Sequence, residues 1–330
     1  HPQVVAAGQD QLGRLPHAMG DAFPDLRRIQ LLERLCAVTG MDRVIFGSSG
    51  SDAVEAALKT ARVATGRTRV LAFTGGYHGL ASAPLAALGY HVRTFREPFT
   101  DMLGQHVDHA PWGGGWPDLH AYAGVLVEPV QGRGGMREPP PGWLEKLHQE
   151  ARAAGALVIH DEIYSGFGRT GQFLAAGTLK PDVLCLGKAL GGGFPISACL
   201  GTAAAMDAWG ASTGEAIHTQ TFLGNPVGCA MGLAVLDVVE REKLVERAAV
   251  EGARMADALR ALPGVKMVTG RGLMLGVHVD DSLAVTRKLL AKGWIVLPAG
   301  EKAEALGITP PLTTSREILD AAVQAIGECL

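Results

Sequence analysis

Two short apolar runs, each closing on an ionisable residue, constrain the fold of this chain more than any other feature. Gly155-Ala156-Leu157-Val158-Ile159-His160 leads into Asp161-Glu162, and Pro181-Asp182-Val183-Leu184-Cys185-Leu186-Gly187 leads into Lys188. Runs this short and this apolar read as strands buried on both faces, as a parallel sheet with helices on each side requires. The carboxyl ends of neighbouring strands in such a sheet open onto one crevice, so Asp161 and Lys188 are expected to face the same ligand.

The remainder of the chain alternates in the same way. Apolar residues at helical spacing predict helices over 2–14 and 25–40, and strands are expected over 43–47, 69–73 and 124–128. Helices are expected over 51–64, from Pro139-Pro140-Pro141-Gly142 to about 154, and over 225–249 as one long element. After Leu262-Pro263-Gly264 the order changes to a strand over 273–279, a helix over 282–291, strands over 294–297 and 307–309, and a final helix from Ser315. The expected fold class is therefore α/β: a large domain over 25–249 with a mainly parallel sheet covered by helices, beside a smaller α+β domain over 250–330. The N-terminal segment 1–24 is expected to join the smaller domain.

A chain of 330 residues with 47% hydrophobic content can bury a large core and is long enough for two domains. Its formal net charge of −3, with signs interspersed, offers no basic stripe for nucleic acid and no polybasic anchor for a membrane, so a small molecule is the expected partner. No apolar stretch approaches the ~20 residues that span a bilayer. The five cysteines are odd in number and lack C-x-x-C spacing, which reads as reduced core residues of a cytoplasmic protein. The chain opens on His1-Pro2 inside an amphipathic pattern, so the native N-terminus is expected to lie further upstream.

An acid and a lysine in one crevice suit pyridoxal 5′-phosphate (PLP). The lysine can hold the aldehyde as a Schiff base, and the carboxylate can keep the pyridine nitrogen protonated so that the ring accepts electrons. Lys188 sits between an apolar strand and Ala189-Leu190-Gly191-Gly192-Gly193, a setting that desolvates its amine and favours the neutral nucleophile. Gly47-Ser48-Ser49-Gly50-Ser51-Asp52 follows a strand and opens a helix, where unpartnered N–H groups suit a phosphate; an ordinary N-cap by Ser51 or Asp52 is the alternative. In Gly75-Gly76-Tyr77-His78-Gly79, Tyr77 can lie flat on a cofactor ring or simply cover the core edge, and His78 is a structural or substrate-side candidate. His218 to Pro226 is a polar turn whose hydroxyls can serve a phosphate, with Asn225 and Pro226 opening a helix.

Together the segments resemble one family. Ser49-Gly50-Ser51-Asp52-Ala53, Gly76-Tyr77-His78-Gly79, Glu128-Pro129-Val130-Gln131-Gly132, Asp161-Glu162-Ile163-Tyr164 through Gly171, Leu186-Gly187-Lys188 through Gly193, and Thr221-Phe222-Leu223-Gly224-Asn225-Pro226 occur in the order seen in class-III (ω-) aminotransferases of PLP fold type I. The resemblance implies Lys188 as the Schiff-base lysine and proton shuttle, and Asp161 as the pyridinium partner. It implies Ile163 and Tyr77 on the two ring faces, Gly50 and Ser51 as the phosphate cup, and Thr221 as a phosphate ligand donated by the neighbouring subunit of a homodimer.

Three positions depart from the family pattern. Tyr164 stands where a glutamine usually bonds the cofactor's phenolic oxygen, and its hydroxyl can still donate. Arg133 and Gly307 replace, respectively, a glutamate and the arginine it pairs with, which removes the usual α-carboxylate recognition. Arg133 either enters the pocket or turns to solvent or Glu138. The implied activity is ping-pong transfer of an amino group from an amine or amino-acid donor to a carbonyl acceptor. A racemase, epimerase or aminomutase on the same scaffold is the nearest alternative, and a non-catalytic partner protein is disfavoured by the intact Asp161/Lys188 pair.

Overall fold

In the computed structural model, which describes residues 1–20, 22–211 and 216–330, the two apolar runs lie side by side as adjacent parallel strands. They belong to a seven-stranded sheet in the order β1-β7-β6-β5-β4-β2-β3. Its strands are β1 (Arg43–Gly47), β2 (Arg69–Phe73), β3 (Val107–Ala110), β4 (Tyr122–Val127), β5 (Leu157–Asp161), β6 (Val183–Leu186) and β7 (Ser197–Gly201). From β3 to β6 all neighbours are parallel, and β7 runs antiparallel to both β6 and β1. The sheet is therefore mainly parallel, as expected. β3 and β7 lack the apolar run that marks the others: β3 is the polar edge Val107-Asp108-His109-Ala110, and β7 is largely of small residues.

Helices bury both faces of this sheet. The helix Gly50–Thr65 presents Ala53, Ala57 and Ala61 to Ala72, Leu126, Ile159 and Cys185, and its small side chains let backbone approach backbone. On the other face the helix Trp143–Ala153 packs Trp143, Leu144 and Leu147 against Leu71, Val125 and Val158. The helices Leu26–Thr39 and Pro226–Arg241 close the end near β6 and β7 through Leu31, Leu35 and Leu236. All five cysteines are free thiols, four of them buried.

One expectation needs correction. The helix expected over 225–249 is two helices, Pro226–Arg241 and Leu244–Arg260, because Lys243 takes a left-handed backbone (φ 49°) and redirects the chain. Pro2–Arg14 buries Val4, Gly8 and Gln11, one face of a helix, and packs along Pro226–Arg241 with Val4 in the core beside Leu190 and Val235.

The second sheet is antiparallel, in the order β10-β11-β9-β8, from β8 (Met267–Arg271), β9 (Met274–His278), β10 (Leu297–Ala299) and β11 (Ala305–Ile308). The helices Leu244–Arg260, Ser282–Ala291 and Arg316–Cys329 share one core with it, through Met255, Leu289, Leu319 and Ile326. β8 escaped notice because none of its residues is buried, so it shows no apolar alternation. Arg169, beyond β5, ties the two sheets by donating to Leu273 O (3.2 Å) and to Pro310 O, and Arg247 on the helix Leu244–Arg260 holds the same segment by donating to Leu312 O and Thr314 O. The 307–314 segment is thereby held against the carboxyl edge of the large sheet.

Close backbone approach also fixes the helix Leu244–Arg260 on the turn between β8 and β9. A Cβ at Gly252 would lie 2.0 Å from the Gly272 carbonyl oxygen. Gly252→Ala is therefore expected to lower unfolding free energy by about 1–3 kcal/mol, the range for overpacking. Gly13→Ala, where a Cβ would meet nothing within 4 Å, is expected to be neutral or slightly stabilising. Urea midpoints of the two variants against the parent check both.

Candidate active site

The register of β5 on β6 sets the site. Asp161 pairs with Cys185, and the Glu162 N–H donates to Cys185 O at 3.0 Å, so Lys188, three residues further on, leaves the sheet at the same edge as Asp161. Lys188 itself has φ 38°, a left-handed backbone unusual for a side chain of its size. Its Nζ lies 4.4 Å from the centroid of the Tyr164 ring. Burial pulls the Lys188 amine below its ordinary value, the negative charges of Asp161 and Glu128 oppose this, and the positive charge of Arg133 adds to it.

Asp161 is buried and held on both oxygens. His78 Nδ1–H donates to Oδ2 at 2.8 Å, and the Ile163 N–H donates to Oδ1 at 3.1 Å. Burial alone would push the His78 imidazole down, but its hydrogen bond to Asp161 and the negative charges of Asp161 and Glu128 hold it above its ordinary value. His78 thus faces Asp161 and also lines the cavity. Glu128, at the end of β4, accepts from Tyr77 N (3.0 Å) and Gly132 N (3.2 Å), and burial pushes its carboxyl up to about 7. No role was assigned to Glu128 from sequence, although it ends a strand just as Asp161 does.

At the start of Gly50–Thr65 the N-cap is Ser49 rather than Ser51 or Asp52. Ser49 Oγ accepts the Asp52 N–H, and Asp52 Oδ2 accepts the N–H groups of Ser48 (3.0 Å) and Ser49 (2.9 Å). This capping box leaves the first-turn N–H groups of Gly50 and Ser51 without an intrahelical acceptor. Asp52 Oδ1 also accepts from Gln220 Nε2 at 3.0 Å, which brings the Thr221 loop to this helix end. Thr221 is exposed there.

One cavity of about 1100 Å³ is lined by Gly50, Ser51, Tyr77, His78, Arg133, Asp161, Ile163, Tyr164 and Lys188. Of the expected site residues, Thr221 alone is outside its wall. The Tyr164 hydroxyl is 3.3 Å from Thr309 Oγ1, which links this wall of the cavity to the end of β11. Arg133 does not pair with Glu138, which is taken by Arg271 at 3.1 Å. Its guanidinium lies 4.6 Å from the centroid of the Tyr77 ring and 5.9 Å from that of Tyr90. Tyr90 was not singled out beforehand, since nothing in its sequence setting marks it.

These residues fit PLP. Ile163 occupies the space beside two glycines, where a Cβ at Gly50 would come within 3.1 Å of it and one at Gly187 within 3.2 Å. Free N–H groups at a helix start suit a phosphate. A desolvated lysine and a clamped carboxylate at adjacent strand ends suit the aldehyde and the ring nitrogen. This combination on a mainly parallel sheet defines a PLP-dependent enzyme of fold type I. The chain belongs to the class-III aminotransferases, whose family model matches residues 1–112 and 119–330, and it is a PLP-dependent aminotransferase. It is 35% identical to the acetylornithine aminotransferase of Methanothermobacter thermautotrophicus, over 100% of this chain and 85% of that protein. It is 34% identical to the 5-aminovalerate aminotransferase DavT of Pseudomonas putida, again over 100% of this chain and 85% of that protein. Among solved structures, the ornithine aminotransferase from Toxoplasma gondii superposes with a TM-score of 0.91 at 31% identity, covering 100% of this chain and 82% of that one. A PLP-bound amine transaminase from an uncultivated Pseudomonas species gives a TM-score of 0.88 at 30% identity, covering 100% and 87%.

Gly79 tests the cup. It has φ 112°, and a Cβ there would lie 2.1 Å from Ser51 Oγ. Gly79→Ala is expected to weaken PLP retention about tenfold or more, from backbone strain and displacement of Ser51, with secondary structure unchanged. Equilibrium dialysis followed by absorbance measures the bound cofactor, and circular dichroism the fold.

Proposed function

We propose that this enzyme takes the amino group of a terminal primary amine and delivers it to a carbonyl acceptor in two half-reactions, with Lys188 and Asp161 as its catalytic residues. The observation that carries this reading is the placement of both on adjacent strand ends, with Asp161 clamped by His78 and Lys188 desolvated. The bound cofactor supplies an electron sink for the substrate carbanion. Lys188 would hold the aldehyde carbon of the bound cofactor, and its amine would serve as the base and acid that moves the substrate proton. Asp161 holds the proton at the pyridine nitrogen. His78 keeps Asp161 aimed by donating to its Oδ2. Gly50 and Ser51 bind the phosphate, and Ile163 and Tyr77 bound the ring. The names of similar proteins support a terminal amine, since acetylornithine, ornithine and 5-aminovalerate each carry one.

A cytoplasmic homodimer completes this reading. Thr221 lies on an exposed loop beside Phe222 and Ile217, which are 60% and 76% exposed, and Gln220 ties that loop to the phosphate end. Exposed large apolar side chains beside a polar turn fit a surface covered by a second copy. Among the described residues no helix is long and apolar enough to cross a membrane.

Lys188→Ala is expected to lower carbonyl release from an amine donor by about 10²–10⁴-fold, the range for a lost general acid–base group, while PLP still binds through its phosphate and ring contacts. Asp161→Asn is expected to reduce turnover far more than cofactor content, by about tenfold per unit of lost preference for the protonated ring nitrogen. Carbonyl product per site, measured against bound cofactor, separates the two effects. A racemase or epimerase would release no carbonyl compound from a lone donor. Thr221→Ala is expected to weaken PLP binding only in the dimer, so sedimentation equilibrium and cofactor occupancy should fall together on dilution.

A further inference from the structure

Lys188 carries the proposed chemistry, yet among the described residues no carboxylate stands within 4.0 Å of its Nζ and no acceptor takes a hydrogen bond from it. What its amine meets is the face of Tyr164, with Nζ 4.4 Å from the ring centroid. A cation at that distance over an aromatic face is attracted by the ring's quadrupole, more strongly where water is excluded. A glutamine, usual at this position in the family, would offer an amide and no such face.

The ring is seated independently of the lysine. A Cβ at Gly132 would lie 2.2 Å from Tyr164 Cδ1, so the ring fills space that only a glycine leaves open. It packs against the apolar cluster of Val130, Met136, Ala175 and Met274, and its hydroxyl lies 3.3 Å from Thr309 Oγ1 just beyond β11. Gly132 is fixed in turn, because its N–H donates to Glu128 at 3.2 Å.

Other charges face the amine at longer range. Asp161 and Glu128, at the ends of β5 and β4, favour its cation, and Arg133 opposes it. Lys188 and Tyr164 also line a second cavity of about 370 Å³, where the remaining ionisable side chains are His1 and Arg169, so no carboxylate approaches from that side. Loss of water outweighs the two acids and holds the amine below its ordinary value.

We infer that Tyr164 is a positioning residue for Lys188, its ring face holding the lysine cation inside the cavity whenever the amine is not bonded to the cofactor aldehyde. A ring face steadies that cation without the short, charge-assisted pair that a carboxylate would make, so the proton stays available for return. By favouring the cation it also strengthens the amine as a base. This rests on the base-and-acid reading of Lys188 above and names the side chain that tunes it.

The test compares wild type, Tyr164→Phe and Tyr164→Leu as full chains loaded with pyridoxamine 5′-phosphate, which has no aldehyde and leaves the lysine amine free. A short pulse of acetic anhydride across a pH series labels the unprotonated amine, and mass spectrometry of the Lys188 peptide gives the midpoint. Loss of the ring face weakens the cation, so Tyr164→Leu is expected to lower that midpoint by about 0.5–1.5 pH units, whereas Tyr164→Phe keeps the face and stays with wild type. A midpoint unmoved in Tyr164→Leu, or moved as far in Tyr164→Phe, overturns the inference. Turnover is the second readout, with 5-aminovalerate and pentylamine as donors and cofactor content matched. Tyr164→Leu is expected to release carbonyl with a kcat about 3- to 10-fold below that of Tyr164→Phe and with KM changed less, as a weaker base would. An effect confined to KM overturns the inference. No carbonyl release by wild type from either amine, with the midpoint difference intact, overturns the terminal-amine reading and leaves the hold of Tyr164 on Lys188 standing.

Discussion

The parallel register of β5 on β6 is the constraint on which the site depends. Because Asp161 pairs with Cys185, the carboxylate and the lysine three residues beyond its partner emerge at one edge, though distant in sequence. A slip of one residue would turn Asp161 toward the opposite face, where its neighbour His160 now meets His148 at 2.7 Å. The register places His160 and Asp161 on opposite faces, each with its own histidine partner, His148 for the first and His78 for the second.

Desolvated acids at strand ends need partners, and the structure supplies them locally. Glu162 accepts from the N–H groups of Ala175 and Ala176 (3.0 Å for the latter) and from Ser165, and Glu128 from those of Tyr77 and Gly132. Burial nonetheless pushes both carboxyls up to about 7, so backbone donors only partly offset the loss of water. Asp161 differs in having an imidazole partner whose proton is held by two neighbouring charges. Among three strand-end or near-end acids, Asp161 is therefore the one that accepts from an imidazole side chain, and its strand lies next to the one that leads into the lysine.

What could be read from sequence follows the same division. The limits of β1, β2 and the helix Ser282–Ala291 were legible, because apolar periodicity and caps mark them without outside help. The two-helix break at Lys243 was not, since no glycine or proline announces it and tertiary packing imposes the left-handed turn. β8 draws its pairing from β9 and not from its own pattern. At the site, residues attached to strand ends and helix starts could be located from the chain itself. The hydroxyl contact of Tyr164 with Thr309 and the stacking of Arg133 on Tyr77 and Tyr90 join segments remote in sequence, and only the docking of the second sheet brings them together.

The backbone of Lys188 carries a further meaning. A lysine at φ 38° is disfavoured relative to glycine by roughly 1–2 kcal/mol. Every other residue in Gly187-Lys188-Ala189-Leu190-Gly191-Gly192-Gly193 is small or apolar and fits its place, so the position read for stability alone would hold a glycine. With Lys188 in the role proposed above, a variant library sorted only for resistance to heat would drift toward glycine at 188 and lose turnover, whereas one sorted for turnover would keep the strain.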